Sequence, residues 1–248
     1  MSLRTNIVLT CPIRNRRIFI TGFHGIGLVG YISVRHLIST LPCKRVGFLE
    51  LIQEPANCAY VFDTGRLTTP GELYHDESNG VTLFLAYWGL PGSERAIYSF
   101  IKTLARWVVL NGYEVAVLFG GLDSEARGDD PAPLRVVTTS TYKLRGYSMC
   151  GAKDMELNFF VIGPLALLLN EFERMDFPAI AILPYASKWR ADPSAALVGL
   201  EFFSNCFGVK VNVEKLREIA AKYEEELREM KKMLEEEQKK REGAPYYI

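Results

Sequence analysis

A glycine-rich segment near the N-terminus holds the residues of this chain that are best suited to chemistry. Gly25-Ile26-Gly27-Leu28-Val29-Gly30 satisfies the pattern G-x-G-x-x-G, and Glu50 follows 20 residues after Gly30. In dinucleotide-binding proteins such glycines let a pyrophosphate reach a helix N-terminus, and the acidic residue binds the ribose. A nucleotide-binding enzyme that uses the Gly25–Gly30 loop is therefore one hypothesis for this sequence.

The same glycines also suit a purely structural turn. Gly22-Phe23-His24 separates the preceding apolar run from the motif, so the loop is longer than the tight turn of the dinucleotide pattern. A close strand-to-helix turn without a ligand needs glycine for steric reasons as well. Because the motif alone has low specificity, we favour the structural interpretation of Gly22, Gly25, Gly27 and Gly30.

Other catalytic or metal-binding patterns are missing from the sequence. The three histidines, His24, His36 and His75, have no second histidine or carboxylates at metal-ligand spacing. There is no G-x-S-x-G elbow and no phosphate-binding P-loop. We therefore expect a protein that is not an enzyme and that has no catalytic residue, no metal and no cofactor.

Composition excludes several further classes of protein. The 29 basic and 29 acidic residues cancel, which does not favour nucleic acid as a partner. The chain has no signal peptide and no run of the roughly 18 apolar residues that a membrane helix needs, which predicts a cytoplasmic protein without a membrane partner. The five cysteines are scattered singly without a CxxC pair, which predicts buried, reduced thiols rather than disulfides or a zinc site.

Short apolar runs alternate with helical patterns along this chain. The strands and helices that they predict must position any functional site. Apolar strands are expected at 17–21, 46–52, 59–62, 81–87, 115–119, 136–140, 159–162 and 179–183, and helices at 28–41, 93–110, 165–174 and 192–203. Continuous apolar strands between helices are typical of a mostly parallel sheet that is covered on both faces. The sequence therefore predicts an α/β fold, with a mostly parallel sheet between helices on both faces.

The C-terminal segment differs in pattern from the rest of the chain. Apolar residues recur at alternating spacings of three and four, a heptad seam formed by Val213, Leu216, Ala220, Tyr223, Leu227, Met230 and Leu234. Charged residues lie between them, so we expect the first half to pack on the body and the second half, from Leu227, to project or pair with a neighbouring subunit. The predicted organisation is a core domain at 1–212, an extended helix at 213–242 and a short apolar tail at 243–248.

The nine residues from Gly22 to Gly30 resemble the hallmark loop of the archaeal branch of the proteasome assembly chaperone 2 family. Gly120-Gly121 after a buried strand, Gly163 at a Leu-rich helix and the run Ala191 to Ala196 agree in order. The sequence departs from the family pattern at Asn158 to Ile162 and at Pro184 to Ala186, which affects any ligand site built from those loops. The resemblance covers about residues 15–220 and implies a three-layer α/β/α sandwich with a mostly parallel mixed sheet. It also implies a chaperone that forms oligomers, either with itself or with a paralogous chaperone.

The resemblance also gives a role to the tail, Tyr246-Tyr247-Ile248. A hydrophobic residue, a tyrosine and any residue at the end of a chain form the docking signal of proteasome activators and of some of these chaperones. The resemblance implies that the tail inserts between two proteasome α-subunits, with its carboxylate on a lysine and Tyr247 in a pocket. An assembly chaperone and an activator that opens the gate of the finished 20S proteasome both fit this docking.

Overall fold

The computed structural model describes residues 4–52, 59–61, 65–87, 93–156 and 159–242. The strands within these ranges are β1 (Arg4–Leu9), β2 (Ile18–Gly22), β3 (Lys44–Ile52), β4 (Ala59–Val61), β5 (Arg66–Thr68), β6 (Gly71–Asp76), β7 (Val81–Ala86), β8 (Val115–Phe119), β9 (Leu122–Asp123), β10 (Leu134–Thr138), β11 (Lys153–Asp154) and β12 (Ala179–Ala186). The helices are α1 (Val29–Thr40), α2 (Glu94–Leu110), α3 (Ser140–Leu144), α4 (Gly163–Arg174), α5 (Pro193–Phe207) and α6 (Glu214–Glu242).

One large mixed sheet forms the centre of the molecule, with strand order β1-β3-β6-β7-β2-β8-β12-β10-β11. The four central strands β7, β2, β8 and β12 run parallel to one another. Antiparallel pairs extend the sheet through β6, β3 and β1 on one side and through β10 on the other. The short strands β4 and β5 form a separate antiparallel hairpin.

Two hydrophobic cores lie on opposite faces of this sheet because successive side chains of a strand point in opposite directions. In β2, Ile18 and Ile20 face the core that α1, α5 and the start of α6 cover, whereas Phe19 faces the core under α2 and α4. The central strands β8 and β12 alternate in the same way, with buried residues on both faces. The predicted three-layer α/β/α fold with a mixed sheet is therefore confirmed.

Most predicted central strands and long helices are confirmed with shifts of a few residues at their ends, but one strand is wrong. Residues 159–162 were expected to form a strand, and the structure shows them as irregular chain before α4. Phe160 and Ile162 are exposed there by 83% and 78% of their surface, whereas Phe159 and Val161 pack partly buried against the core without pairing as a strand. The chain turns instead at Gly163, which has a φ of +70° that favours glycine.

The prediction of reduced thiols is wrong for two of the cysteines. Cys150 and Cys206 form a disulfide across a sequence separation of 56 residues. The fold brings the turn after α3 beside the last turn of α5, and the spacing of single cysteines gives no sign of this proximity. Cys11 and Cys43 are free thiols, the first exposed and the second half-buried, and Cys58 lies outside the described residues.

Candidate functional site

The C-terminal helix α6 leads to the predicted docking residues Tyr246, Tyr247 and Ile248, which themselves lie outside the described residues. Its 29 residues make a helix about 43 Å long. The first turns pack on the body of the protein, since Leu216 and Ala220 are 4% and 5% exposed.

The later turns of α6 leave the body. Met230 and Met233 are 57% and 64% exposed, and Arg228 and Glu229 are exposed as well. Arg190 of the body contacts α6 at Tyr223, 5.3 Å from the ring centre, and at Glu224, 3.7 Å from the carboxylate. Along the apolar seam of α6, burial therefore decreases from Leu216 and Ala220, through the half-buried Tyr223 and Leu227, to the exposed Met230.

The glycine loop connects β2 to α1 at the carboxyl end of the central strands. A β-carbon on Gly22 would lie 2.5 Å from the carbonyl oxygen of Gly30, and one on Gly30 would lie 2.6 Å from that of Phe119. These partners are main-chain atoms that cannot rotate away. Gly22 and Gly30 therefore permit β2, β8 and the first turn of α1 to touch backbone to backbone.

Gly27 serves a second close contact, with the start of α5. Its φ is +62°, and a β-carbon there would lie 2.7 Å from Cβ of Ala186. The Gly27 carbonyl accepts a 2.8 Å hydrogen bond from the N–H of Asp192, whose side chain caps α5. The N-terminus of α1, where a dinucleotide would place its pyrophosphate, is thus covered by residues of the same chain.

Glu50 does not reach the glycine loop either. It lies on β3, which is separated from β2 by β6 and β7, a displacement of about 14 Å at ordinary strand spacing. Its carboxylate accepts a 3.3 Å hydrogen bond from Asn6 on the edge strand β1 and is exposed. The spacing of 20 residues that suggested a ribose ligand does not bring the two parts of the fingerprint together.

A cavity of about 280 Å³ opens on the other side of the glycine loop. Gly25 faces open space beside this cavity, since a β-carbon there would meet no heavy atom within 4 Å. The walls come from the loops after β2 and β8 and from the start of α4. The structure therefore separates the four predicted glycines: Gly22, Gly27 and Gly30 lie in close backbone contacts, and Gly25 borders the cavity.

His24 is the titratable residue of this cavity. Its ring stacks on Tyr31 at 4.5 Å between centres, and burial lowers its pKa below the ordinary value, which favours the neutral imidazole. The other two histidines serve elsewhere: Nε2 of His36 donates to the Asn212 carbonyl, and His75 bonds the Arg14 carbonyl and Thr82. Within the described ranges, no three His, Cys, Asp or Glu side chains are placed to hold a metal ion.

A buried ionic cluster around Glu72 was not predicted from the sequence. The Glu72 side chain is 0% exposed and accepts two hydrogen bonds from Arg66, at 2.7 and 3.0 Å. Arg45 lies 2.9 Å from the same carboxylate, and the Tyr74 hydroxyl donates to it at 2.7 Å. Arg66 and Tyr74 lie within six residues of Glu72, but only the fold brings Arg45 of β3 to the same carboxylate. It ties the β4–β5 hairpin to the main sheet.

The fold is an α/β/α sandwich with a mixed sheet and a projecting C-terminal helix. Its glycine loop and Glu50 do not have the geometry of a dinucleotide fingerprint. Residues 19–231 match the model of the PAC2 family. Since this match covers most of the sequence, the chain belongs to the PAC2 family. No curated protein matches the sequence. Over the described part of the chain, none of the helices is both long and apolar enough to cross a lipid bilayer.

Solved structures share this fold over most of their length. PbaA of Pyrococcus furiosus, described as an archaeal homolog of proteasome-assembly chaperone, is 24% identical with a TM-score of 0.77, over 95% of this chain and 96% of that chain. PbaB of the same organism, described as an archaeal proteasome activator, is 21% identical with a TM-score of 0.74, over 92% and 98%. The proteasome-assembly chaperone homologue Rv2125 of Mycobacterium tuberculosis is 16% identical with a TM-score of 0.62, over 86% and 94%.

Proposed function

We propose that this protein is a proteasome assembly chaperone that binds 20S α-subunits through its C-terminal residues Tyr246, Tyr247 and Ile248. The observation that carries the proposal is the division of α6 in a member of the PAC2 family. Leu216 and Ala220 near the start of the helix are buried against the body, whereas Met230 and Met233, closer to the tail, are exposed. This arrangement would present a short peptide at a distance from the body of the chaperone.

The chemistry of the tail suits a pocket between two subunits. Tyr247 offers a large rigid contact area and a hydroxyl for hydrogen bonding, the combination that recurs in binding hot spots. One short peptide binds weakly, whereas an oligomer that presents several tails gains affinity from their effective concentration. The proposal therefore includes a homo-oligomer, or an oligomer with a paralogous chaperone, as the active form.

Gel filtration with purified archaeal α-subunits tests this proposal. We expect the native chain to co-elute with the α-subunits, and Tyr247→Ala to weaken binding at least about thirtyfold, the effect of losing a hot-spot side chain. Ile248→Ala is the matched control, because the last position of the docking signal accepts any residue. Absence of co-elution would refute the proposal, as would co-elution that persists after removal of residues 246–248.

An activator of the finished proteasome is the second candidate function. It is favoured by the structural likeness to PbaB, which is described as an archaeal proteasome activator. Peptide hydrolysis by intact 20S particles separates the two functions. An activator raises the rate of hydrolysis in a manner that depends on Tyr247, whereas an assembly chaperone leaves that rate unchanged and accelerates the formation of particles from free α- and β-subunits.

A further inference from the structure

The exposed apolar side chains of α6 lie along one face of the helix, called here the exposed stripe. Ile219, Met230 and Met233 are 49%, 57% and 64% exposed, and Tyr223 is half-buried. Their spacings of 4, 7 and 3 residues place all four on the same face, because such spacings are close to whole turns of a helix. The helix therefore keeps apolar surface that the described part of its own chain leaves exposed.

A groove between α6 and α1 begins at the base of the exposed stripe. It has a volume of about 450 Å³. Its apolar and aromatic walls include Tyr31, Ile32, Pro193, Leu216, Ile219 and Tyr223. A hydrophobic groove beside a helix is the type of surface that accepts the apolar face of another helix.

The exposed methionines of the same helix cannot fill this groove. The helix is continuous from Glu214 to Glu242, and Met230 lies 11 residues beyond Ile219, about 17 Å further along the axis. The methionines of a second copy are free of this restriction. Because one chain carries both the groove and the side chains that suit it, two copies can make the same contact twice across a two-fold axis.

Charges beside the exposed stripe determine how the two helices run. Lys222 and Glu229 border the stripe on one side, both are exposed, and neither has an ion-pair partner among the described residues. In an antiparallel pair centred between these positions, Lys222 of each copy lies opposite Glu229 of the other. In a parallel pair the two positions stay seven residues apart, about 10 Å along the axis. Since flanking charges set the orientation of paired helices, they favour the antiparallel arrangement.

We propose that two copies of this chain pair through an antiparallel contact of their α6 helices, in which Met230 and Met233 of each copy lie in the groove between α1 and α6 of the other. The pairing does not rest on docking to the proteasome, because residues 246–248 take no part in it. The antiparallel helices direct the two tails to opposite ends. This pair therefore differs from an oligomer that presents several tails to one proteasome.

Sedimentation equilibrium of the full chain measures the pairing. We expect a reversible equilibrium between monomer and dimer, and Met230→Glu to weaken the dimer at least about tenfold, because it brings a charge into an apolar groove. Ala221→Glu is the matched control, since Ala221 is exposed on the opposite face of the same helix, and it should leave the dissociation constant unchanged. Removal of residues 246–248 should also leave it unchanged, which separates this proposal from the docking of the tail.

A charge exchange tests the antiparallel arrangement. Lys222→Glu brings like charges together twice in the dimer, so it should weaken pairing at least about tenfold. The double variant with Lys222→Glu and Glu229→Lys again has opposite charges across the contact, and its affinity should return to within about threefold of the native value. This recovery reports a contact between chains, because residues seven positions apart do not form a side-chain pair within one helix.

Glu226 supplies an independent test of the two-fold axis. It lies within the exposed stripe near the centre of the pair, where it faces Glu226 of the second copy, so Glu226→Gln should strengthen the dimer at least about threefold. The proposal is overturned if the native chain sediments as a monomer at every concentration. It is also overturned if Met230→Glu, shown to be folded by its circular dichroism, pairs as the native chain does, if the charge exchange does not restore pairing, or if Glu226→Gln does not strengthen it.

Discussion

Gly30 lies in the first turn of α1, in contact with the backbone of two neighbouring segments. A methyl group there would lie 2.6 Å from the carbonyl oxygen of Phe119 and 2.7 Å from the amide nitrogen of Phe23. Because neither atom belongs to a flexible side chain, the contact can be relieved only by moving β8 or the loop. Steric exclusion at this position, rather than contact with a phosphate, is thus sufficient to require glycine.

We predict that Gly30→Ala lowers the free energy of unfolding by about 2 kcal/mol, the usual effect of inserting a methyl group into a packed interior. Gly25→Ala is the control, because a β-carbon at Gly25 meets nothing within 4 Å, and it should change stability by less than about 0.5 kcal/mol. Urea unfolding followed by circular dichroism gives both values. Equal stability of the two variants would contradict the structural role of Gly30.

Glu72 makes the stability of the protein depend on pH. Burial acts to raise the pKa of this carboxyl, but the hydrogen bonds from Arg66 and Tyr74 and the charge of Arg45 outweigh burial and hold the pKa below its ordinary value of 4.5. A carboxylate with a lowered pKa contributes stability that is fully present above the unfolded pKa. That stability is lost as the pH falls through the lower pKa of the folded state.

We predict that Glu72→Gln lowers the free energy of unfolding at neutral pH by about 3 kcal/mol, since it removes the anion shared by Arg66 and Arg45. The loss of stability below pH 4.5 should be shallower in this variant than in the native protein, because one carboxylate with a lowered pKa is gone. Urea unfolding at a series of pH values measures both effects, with the exposed Glu77→Gln as control. Parallel pH profiles for Glu72→Gln and the native protein would show that Glu72 does not contribute in this way.

At the scale of the elements, the central parallel strands could be predicted from the sequence because they are buried on both faces. The segments at β2, β8 and β12 read as continuous apolar runs for this reason. β6 could not be found in the same way, although all six of its residues are buried. Its polar residues Glu72 and His75 are satisfied by partners on other segments, which a local pattern does not contain, and Asp76 is satisfied by Asn79 in the turn that follows.

The sequence predicts the glycine loop of the candidate site but not the cavity beside it. The glycine loop was located correctly as a strand-to-helix connection, since glycines between an apolar run and a helical pattern are a local signal. The cavity was not predictable, because its walls come from segments as far apart in sequence as Phe23 and Leu183. His24, which lines the cavity, lies inside the predicted loop, but its position in the cavity wall becomes evident only in three dimensions.

The disulfide between Cys150 and Cys206 links the turn after α3 to the last turn of α5. Closing a loop across 56 residues stabilises the folded state by about 4 kcal/mol, according to chain-entropy arguments. We predict that Cys150→Ser lowers the free energy of unfolding by up to this amount under non-reducing conditions, and that Cys11→Ser, which alters an exposed free thiol, leaves it unchanged. Titration of the denatured chain should find two more reactive thiols after reduction than before, and an unchanged number would show that the disulfide does not form.

At the scale of the whole molecule, the proposed docking makes binding depend on the number of tails that one particle presents. A single tail that docks through Tyr247 has the affinity of a short peptide. Several tails on one oligomer bind with an apparent affinity that rises by a factor of about 10²–10⁴, provided that they reach their pockets at the same time. In the proposed docking, the part of α6 after Glu224, about 27 Å of helix, sets the reach of each tail.

Mixed oligomers separate this avidity from independent docking. If chains with Tyr247→Ala are co-refolded with native chains at increasing fractions, independent tails would lose proteasome α-subunit binding in proportion to the fraction of variant. Under avidity, we predict that the apparent affinity falls more than tenfold before half of the chains are variant, because each lost tail removes a multiplicative factor. Surface-immobilised α-subunit rings and a titration by biolayer interferometry measure the curve. A control series with Ile248→Ala should stay flat, and a linear decline with Tyr247→Ala would mean that the tails act one at a time.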